Sequence, residues 1–212
     1  HEILINKKEK MTEDYKTITA RSFNNDAKDF GEKTSDYLKE YILEDANLFI
    51  TNLPGVRILD LGSGPGRDSL FFKEKGFNPL CLDISSEMVK LCKVKGLDVV
   101  IGDLENLGFK DESFDGVWAY TSLLHIPKSH IKPVLSQIRR ILRENGMLYL
   151  GMKEGKGEGM IESGRYDGSI RFYSLYEDRE LREIISENFD ILHSSEVIFP
   201  YATYLNYLSK RK

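Results

Sequence analysis

Carboxylates and glycines interleave in one short stretch, Asp60-Leu61-Gly62-Ser63-Gly64-Pro65-Gly66-Arg67-Asp68. An apolar run beginning at Val56 precedes it, and a helix pattern follows. Such a strand–loop–helix unit lets the backbone approach a bound molecule closely. The dinucleotide fingerprint G-x-G-x-x-G would need its third glycine at position 67, where Arg67 stands. Asp60 and Asp68 would repel a pyrophosphate at the helix start and favour a ligand that carries an ammonium group. Asp83 ends the next apolar run, close to the ~20-residue offset of a ribose-binding acid, and can accept from both ribose hydroxyls. Farther on, His125 lies in Ala119-Tyr120-Thr121-Ser122-Leu123-Leu124-His125-Ile126-Pro127. It is the candidate base, since an unperturbed imidazole titrates near pH ~6.5. The alternative is a packing role at the start of the following helix. Tyr120 and Tyr173 rank behind it.

The elements that must position these residues alternate strand and helix, as a parallel sheet requires. The strands are 56–61, 77–83, 98–101, 114–120 and 147–152. Helices run over 67–75, from a cap at Ser85 or Ser86 to about Lys95-Gly96, and from Pro127 to Arg143. The chain before them, from about 11 to 52, reads as helical, with Tyr37, Leu38, Tyr41, Ile42, Leu48 and Phe49 at three- and four-residue spacing. After 153 comes a glycine-rich segment to Tyr176, then a helix at 177–188 and two strands, 190–197 and 203–208, expected to close as an antiparallel pair. This organisation is read as one domain over 1–212. It has a helical cap (1–53), a cofactor-binding core (54–153), a substrate lid (154–176) and a closing helix with two strands (177–212).

The Gly-loop resembles motif I of the class I S-adenosylmethionine-dependent methyltransferases, acid-x-G-x-G-x-G at the end of the first strand. The resemblance spans roughly 56–153, with one matching loop after each of four strands. It implies a Rossmann-like α/β fold: a seven-stranded, mostly parallel sheet in the order 3-2-1-4-5-7-6, the seventh strand antiparallel, with helices on both faces. It implies S-adenosylmethionine as cofactor, leaving S-adenosylhomocysteine, held by Asp60, Gly62, Ser63, Gly64, Gly66 and Asp68. Asp83 would take the ribose, with Ile84, Ser85 and Met88 as neighbours. Gly102, Asp103 and Leu104 would meet the adenine, and Thr121 the methyl-donor end. Tyr15, with Arg21 and Phe23 nearby, resembles an N-terminal element that closes over the cofactor.

Methyl transfer from a sulfonium to an O, N, C or S nucleophile is an in-line displacement, so the protein chiefly aligns nucleophile and methyl, excludes water and sometimes removes a proton. The loop after strand four lacks the Asn/Asp-Pro-Pro-aromatic pattern of amide and base-amine methylation. Neither cysteine is placed for carbon-5 cytosine chemistry, and no acid cluster marks a metal. The acceptor is therefore expected to be a small molecule, with Arg165 or Arg171 meeting a carboxylate or phosphate and Tyr173 lining the site. The segment 154–176 would lie over the pocket as a lid, or else form an exposed loop with a hairpin. The rivals are an NAD(P)-dependent oxidoreductase and an inactive methyltransferase-fold binding protein.

A net charge of −4 with scattered Lys and Arg argues against a nucleic-acid partner. No apolar run approaches the ~20 residues of a membrane span, and no signal peptide is evident. A cytoplasmic monomer or homodimer is expected. Cys81 and Cys92 read as reduced core thiols, and Lys210-Arg211-Lys212 as a solvated tail. Met11 is a candidate start, with His1 and Glu2 as non-native residues.

Overall fold

The computed structural model describes residues 13–162 and 168–212. The candidate start at Met11 lies outside them. The helices are α1 (Tyr15–Lys33), α2 (Tyr37–Tyr41), α3 (Leu43–Thr51), α4 (Arg67–Glu74), α5 (Ser86–Val94), α6 (Lys128–Ile141) and α7 (Asp178–Ser186). The strands are β1 (Arg57–Leu61), β2 (Asn78–Asp83), β3 (Asp98–Ile101), β4 (Phe114–Tyr120), β5 (Leu142–Lys153), β6 (Glu158–Glu162), β7 (Ile170–Ser174), β8 (Phe189–Phe199) and β9 (Ala202–Arg211).

Seven strands form one sheet in the order β3-β2-β1-β4-β5-β9-β8, and β6 pairs with β7 apart from it. The first five strands are parallel, while β9 runs antiparallel to both β5 and β8. Counting the strands of the large sheet alone, this is 3-2-1-4-5-7-6.

Side chains alternate across the pleat, and the core divides accordingly. Val117 and Ala119 of β4 join Leu148 and Leu150 of β5 on one face, under Ile131, Leu135 and Ile138 of α6 and Leu181 of α7. The intervening Trp118 and Tyr120 join Met147 and Tyr149 on the other face, against Leu38, Phe49 and Phe72 of α2, α3 and α4. Helices therefore cover both faces. Ile131, Leu135 and Ile138 recur at helical spacing and are 1 % exposed or less. Each contributes about 1.5–3 kcal/mol of burial, and truncating Leu135 to Ala would cost about 2–5 kcal/mol.

Several boundaries differ from the sequence expectation. The stretch read as helical from about 11 to 52 is, over the described residues, three helices. Asp14 starts the first by accepting from the backbone amides of Lys16 and Thr17 at 2.9 and 3.0 Å. Helix α6 ends at Ile141 rather than Arg143, because Leu142 is already extended (φ −74°, ψ 141°) and pairs with Phe114. The basic tail is not a solvated end. Lys210 and Arg211 lie in β9, and the Arg211 guanidinium bonds the Leu142 carbonyl and Glu112. The glycine-rich segment, where described, is the hairpin β6–β7, registered from Glu158↔Ser174 to Glu162↔Ile170. No helix among the described residues is long and apolar enough to cross a membrane.

Candidate functional site

The chain ends β1 by bonding the amides of Gly62 and Ser63 to the Leu82 carbonyl, at 2.8 and 3.0 Å. This ties the Gly-loop to the end of β2. A Cβ on Gly62 would lie 2.4 Å from the Cβ of Ser122, so the loops after β1 and β4 touch there with room for no side chain. Gly64 holds φ +53°, and its amide donates to Asp83 Oδ2 at 2.8 Å. The Ser85 amide donates to the other Asp83 oxygen at 2.8 Å. Two backbone amides thus fix this carboxylate at the carboxyl end of β2, although burial pushes its pKa up.

Around these residues lies a cavity of about 770 Å³, counting the part open to solvent. It sits outside the carboxyl ends of the strands, where open α/β sheets bind ligands. Of the residues expected from the sequence, Asp60, Gly62, Ser63, Gly64, Asp68, Asp83, Ile84, Leu104, Tyr120, Thr121 and His125 line it together. Asp60 accepts from the Ser69 hydroxyl at 2.7 Å, and burial pushes its carboxyl well above the usual range. Asp68 is paired with Arg67 and also accepts from the indole N–H of Trp118 at 2.8 Å. The two acids beside the Gly-loop are thus unequal: Asp68 is neutralised by a cation, and Asp60 is held by a hydroxyl.

The loop after β4 turns at Thr121, a non-glycine residue at φ +54°. Backbone held this way costs of order 1–3 kcal/mol and clusters at functional sites. The next hydroxyl, Ser122 Oγ, is buried, has no hydrogen-bond partner, and belongs to the cavity wall. His125 follows in a single 3₁₀ turn. Its Nδ1 lies 2.7 Å from the Phe172 carbonyl. A carbonyl only accepts, so Nδ1 carries the proton and Nε2 is the basic nitrogen. Phe23 and Tyr173 pack edge-on to the ring, at 5.2 and 4.8 Å between centroids. Burial lowers the imidazole pKa to about 3, so the ring is neutral. The Tyr120 phenol, which meets the Tyr37 hydroxyl at 3.2 Å, is pushed up by burial and stays protonated.

Other sequence candidates fall elsewhere. Gly66 faces Leu97 and Cys92, where a Cβ would lie 2.6 Å from Leu97 Cδ1, so it lets the start of α4 pack closely against α5 and the turn that follows it. Met88 is fully buried inside α5. Ser85 caps α5 and donates to Asn24 Oδ1 at 2.8 Å. Gly102 bonds the Asp83 carbonyl, at 3.0 Å. Asp103 is ion-paired with Lys16 at 2.7 Å, and Tyr15 bonds Glu105; both lie beside an open groove that shares Ile84 with the cavity. Arg171 is a correction: it is 3 % exposed and bonded to Asp26, so its guanidinium is not presented to a substrate. Tyr173 is half-buried behind His125. Arg165 lies outside the described residues. Cys81 and Cys92 are buried free thiols beneath the Gly-loop. No group of three or more potential metal ligands occurs among the described residues.

Sequence reasoning missed Thr19, Phe30, Pro65, Arg67 and Ser122 as wall residues. A signal for the first two was available. Thr19, Phe23, Ala27 and Phe30 recur at four, four and three residues, a single stripe along α1. In the sequence Arg67 stands only as the residue that breaks the dinucleotide fingerprint; in the structure its guanidinium lies over the Tyr37 ring, 5.3 Å from the centroid.

Residues 59–150 match the family model described as a methyltransferase domain. The chain is 27 % identical over 147 residues to an uncharacterised protein of Methanocaldococcus jannaschii, a match covering 69 % of this chain and 62 % of that protein. It is 32 % identical over 98 residues to demethylmenaquinone methyltransferase of Renibacterium salmoninarum, covering 45 % of this chain and 40 % of that enzyme. The chain thus spans less than two thirds of the length of either relative. The structure of 1,6-didemethyltoxoflavin-N1-methyltransferase from Burkholderia thailandensis, with bound 1,6-didemethyltoxoflavin and S-adenosylhomocysteine, superposes with a TM-score of 0.76 at 20 % identity. That alignment covers 100 % of this chain and 95 % of the other, and at such identity the likeness is one of fold.

Proposed function

We propose that the chain carries a class I S-adenosylmethionine-dependent methyltransferase domain that moves a methyl group onto a small-molecule acceptor held against His125. One observation carries this reading: a single cavity is walled by the loop after β1, by Asp83 after β2, by Leu104 after β3 and by the loop from Tyr120 to His125 after β4. The residues fit the cofactor. Gly64 leaves open space in the cavity wall, where an added Cβ would meet only Phe30 Cε1 at 3.8 Å, Ser122 Oγ is a buried hydroxyl lacking a partner, and Asp83 is fixed by two amides with lone pairs to spare. Asp83 would hold the ribose hydroxyls, Ile84 and Leu104 the purine faces, and Asp60 with the Gly-loop the amino-acid portion. An ammonium group brought against Asp60 would return its carboxyl to the ionised form. The bound cofactor supplies a methyl group already activated by positive charge on sulfur.

The protein's own part is alignment, dryness and one proton. Phe23 and Phe30 of α1 line the cavity and, once ligand is bound, would roof it against water. His125 Nε2 takes the acceptor's proton. An imidazole this weakly basic suffices only when the acceptor's N–H or O–H turns acidic as its lone pair is alkylated, so the proton leaves with or after transfer. Tyr120 is kept protonated with its hydroxyl donating to Tyr37, and its oxygen is left to accept a hydrogen bond from the acceptor molecule. The mild net charge and the largely apolar cavity favour a small acceptor over a nucleic acid, and we place the enzyme in the cytoplasm. Calorimetric titration with S-adenosylhomocysteine and with NADH tests the cofactor assignment: NADH binding without S-adenosylhomocysteine binding would refute it. A metabolite screen for labelled methyl transfer then identifies the acceptor.

A further inference from the structure

Arg171 is a buried cation held between two elements. Its Nη2 donates to Asp26 Oδ2 at 2.7 Å, and its Nε to Ser22 Oγ at 3.3 Å, both on α1. Ser169 donates to the same Asp26 oxygen at 2.6 Å, and the Ser22 and Ser169 hydroxyls meet at 2.5 Å. The guanidinium carbon lies 4.0 Å from the Phe23 ring centroid and 5.7 Å from that of Phe30. These are the rings that line the cavity. The adjacent residue, Phe172, is bonded on both sides of its backbone. Its N–H donates to Thr19 Oγ1 of α1 at 3.0 Å, and its carbonyl accepts from His125 Nδ1 at 2.7 Å. Helix, hairpin and imidazole are therefore joined through two consecutive residues of β7.

We infer that Arg171 and Asp26 are positioning residues, whose pair latches α1 over the cavity and, through Phe172, holds the His125 ring with Nδ1 protonated and Nε2 free to accept. The inference rests on the reading of His125 as the proton acceptor. Its physical basis is that a buried ion pair does not slide by degrees. Separating its members leaves the largely buried Asp26 carboxylate without its guanidinium, so α1 and β7 are either seated or apart. When α1 lifts, Phe172 loses the Thr19 hydroxyl, and its carbonyl is no longer held toward Nδ1. An imidazole without that partner distributes its proton between both nitrogens. The basic nitrogen is thus presented only beneath a closed roof, when water is excluded.

The test compares wild type with Asp26→Asn, Thr19→Val, Arg171→Ala and Arg171→Lys, each checked for cooperative unfolding. Ring ¹⁵N spectra at neutral pH, assigned with His125→Gln, report the tautomer of His125, and stopped-flow displacement gives the S-adenosylhomocysteine dissociation rate. We expect a single Nδ1–H tautomer in wild type and averaged tautomers in Asp26→Asn and Thr19→Val. Dissociation should be at least about tenfold faster in these variants, as expected for loss of a charge-assisted or buried hydrogen bond. Arg171→Lys, which keeps the charge but not the forked donor set, recovers part of both signals relative to Arg171→Ala. Folded Asp26→Asn and Thr19→Val proteins with the wild-type tautomer and rate would overturn the latch. If Arg171→Ala does not fold, those two variants still decide it. Wild type failing to bind S-adenosylhomocysteine would sink the cofactor assignment alone, because the tautomer comparison stands without ligand.

Discussion

Gly62→Ala is the sharpest perturbation the site offers. At φ +77° an alanine pays the left-handed penalty, about 1–2 kcal/mol. Its Cβ would also lie 2.4 Å from Ser122 Cβ and 3.6 Å from Ser122 Cα, so the loop after β4 must retreat. Overpacking of this kind adds about 1–3 kcal/mol. The sum, roughly 2–5 kcal/mol, corresponds to a Tm loss of roughly 5–15 °C for a chain of this size. Gly64→Ala is the internal control. Its φ is +53°, but the added Cβ would meet only Phe30 Cε1 at 3.8 Å, an ordinary contact, so only the conformational term applies. Differential scanning calorimetry should therefore show the larger loss at 62. Calorimetric titration should show S-adenosylhomocysteine affinity falling further there, since Ser122 moves and His125 is bonded to it through the Ser122 carbonyl at 3.1 Å. Gly62→Ala/Ser122→Gly removes the clashing Cβ and should recover a coupling of about 1–3 kcal/mol. A double mutant no more stable than Gly62→Ala would refute the claim that contact between the two loops is what requires glycine.

Asp83→Ala should weaken S-adenosylhomocysteine binding roughly ten- to a hundred-fold, because hydrogen bonds to a charged group are worth about 1.5–3 kcal/mol each; unchanged calorimetric affinity in a folded variant removes the ribose role. His125 titrates at about 3 when folded, against 6.5 as a free imidazole. The unfolded chain therefore binds the extra proton between those values, and stability present above pH 6.5 is lost as pH falls toward 3. Unfolding free energies from urea titrations at pH 4.5 and 7 should differ by roughly 2–3 kcal/mol less in His125→Gln than in wild type; an identical pH dependence would mean the ring is not buried neutral. The Lys16–Asp103 pair has side chains 31 % and 35 % exposed, so Lys16→Ala should barely change Tm. It should tighten S-adenosylhomocysteine binding by freeing Asp103 for the purine amino group, and weaker binding would show that Lys16 itself contributes.

The parts of this protein legible in the sequence are those governed by local rules. The alternation of Trp118 and Tyr120 with Val117 and Ala119 announces a strand buried on both faces, and the Gly-loop and Asp83 announce a cavity at the strand ends. What escaped was set by contacts distant in sequence. Arg171 reads as a substrate cation because nothing near it in the chain reveals Asp26, which reaches it only once α1 folds over β7. Gly66 and Gly62 look alike in the motif, yet one faces Leu97 and the other Ser122. Ser122 itself carries no signal until the positive φ of Thr121 aims the loop. The extent of α6 was misjudged because Arg143 to Gly146 read as the end of a helix, whereas β4 draws Leu142 into the sheet.

Trp118 is the chain's single tryptophan. It stacks on Tyr149 at 4.0 Å between centroids and donates its indole proton to Asp68, a residue of the cavity wall. Its emission therefore comes from one fluorophore, shielded from solvent, whose only polar handle ends at the binding cleft. Any change in the charge or hydration around Asp68 is transmitted to the indole excited state. The molecule is in this sense its own optical gauge, able to follow occupancy of the cleft in real time and without a label.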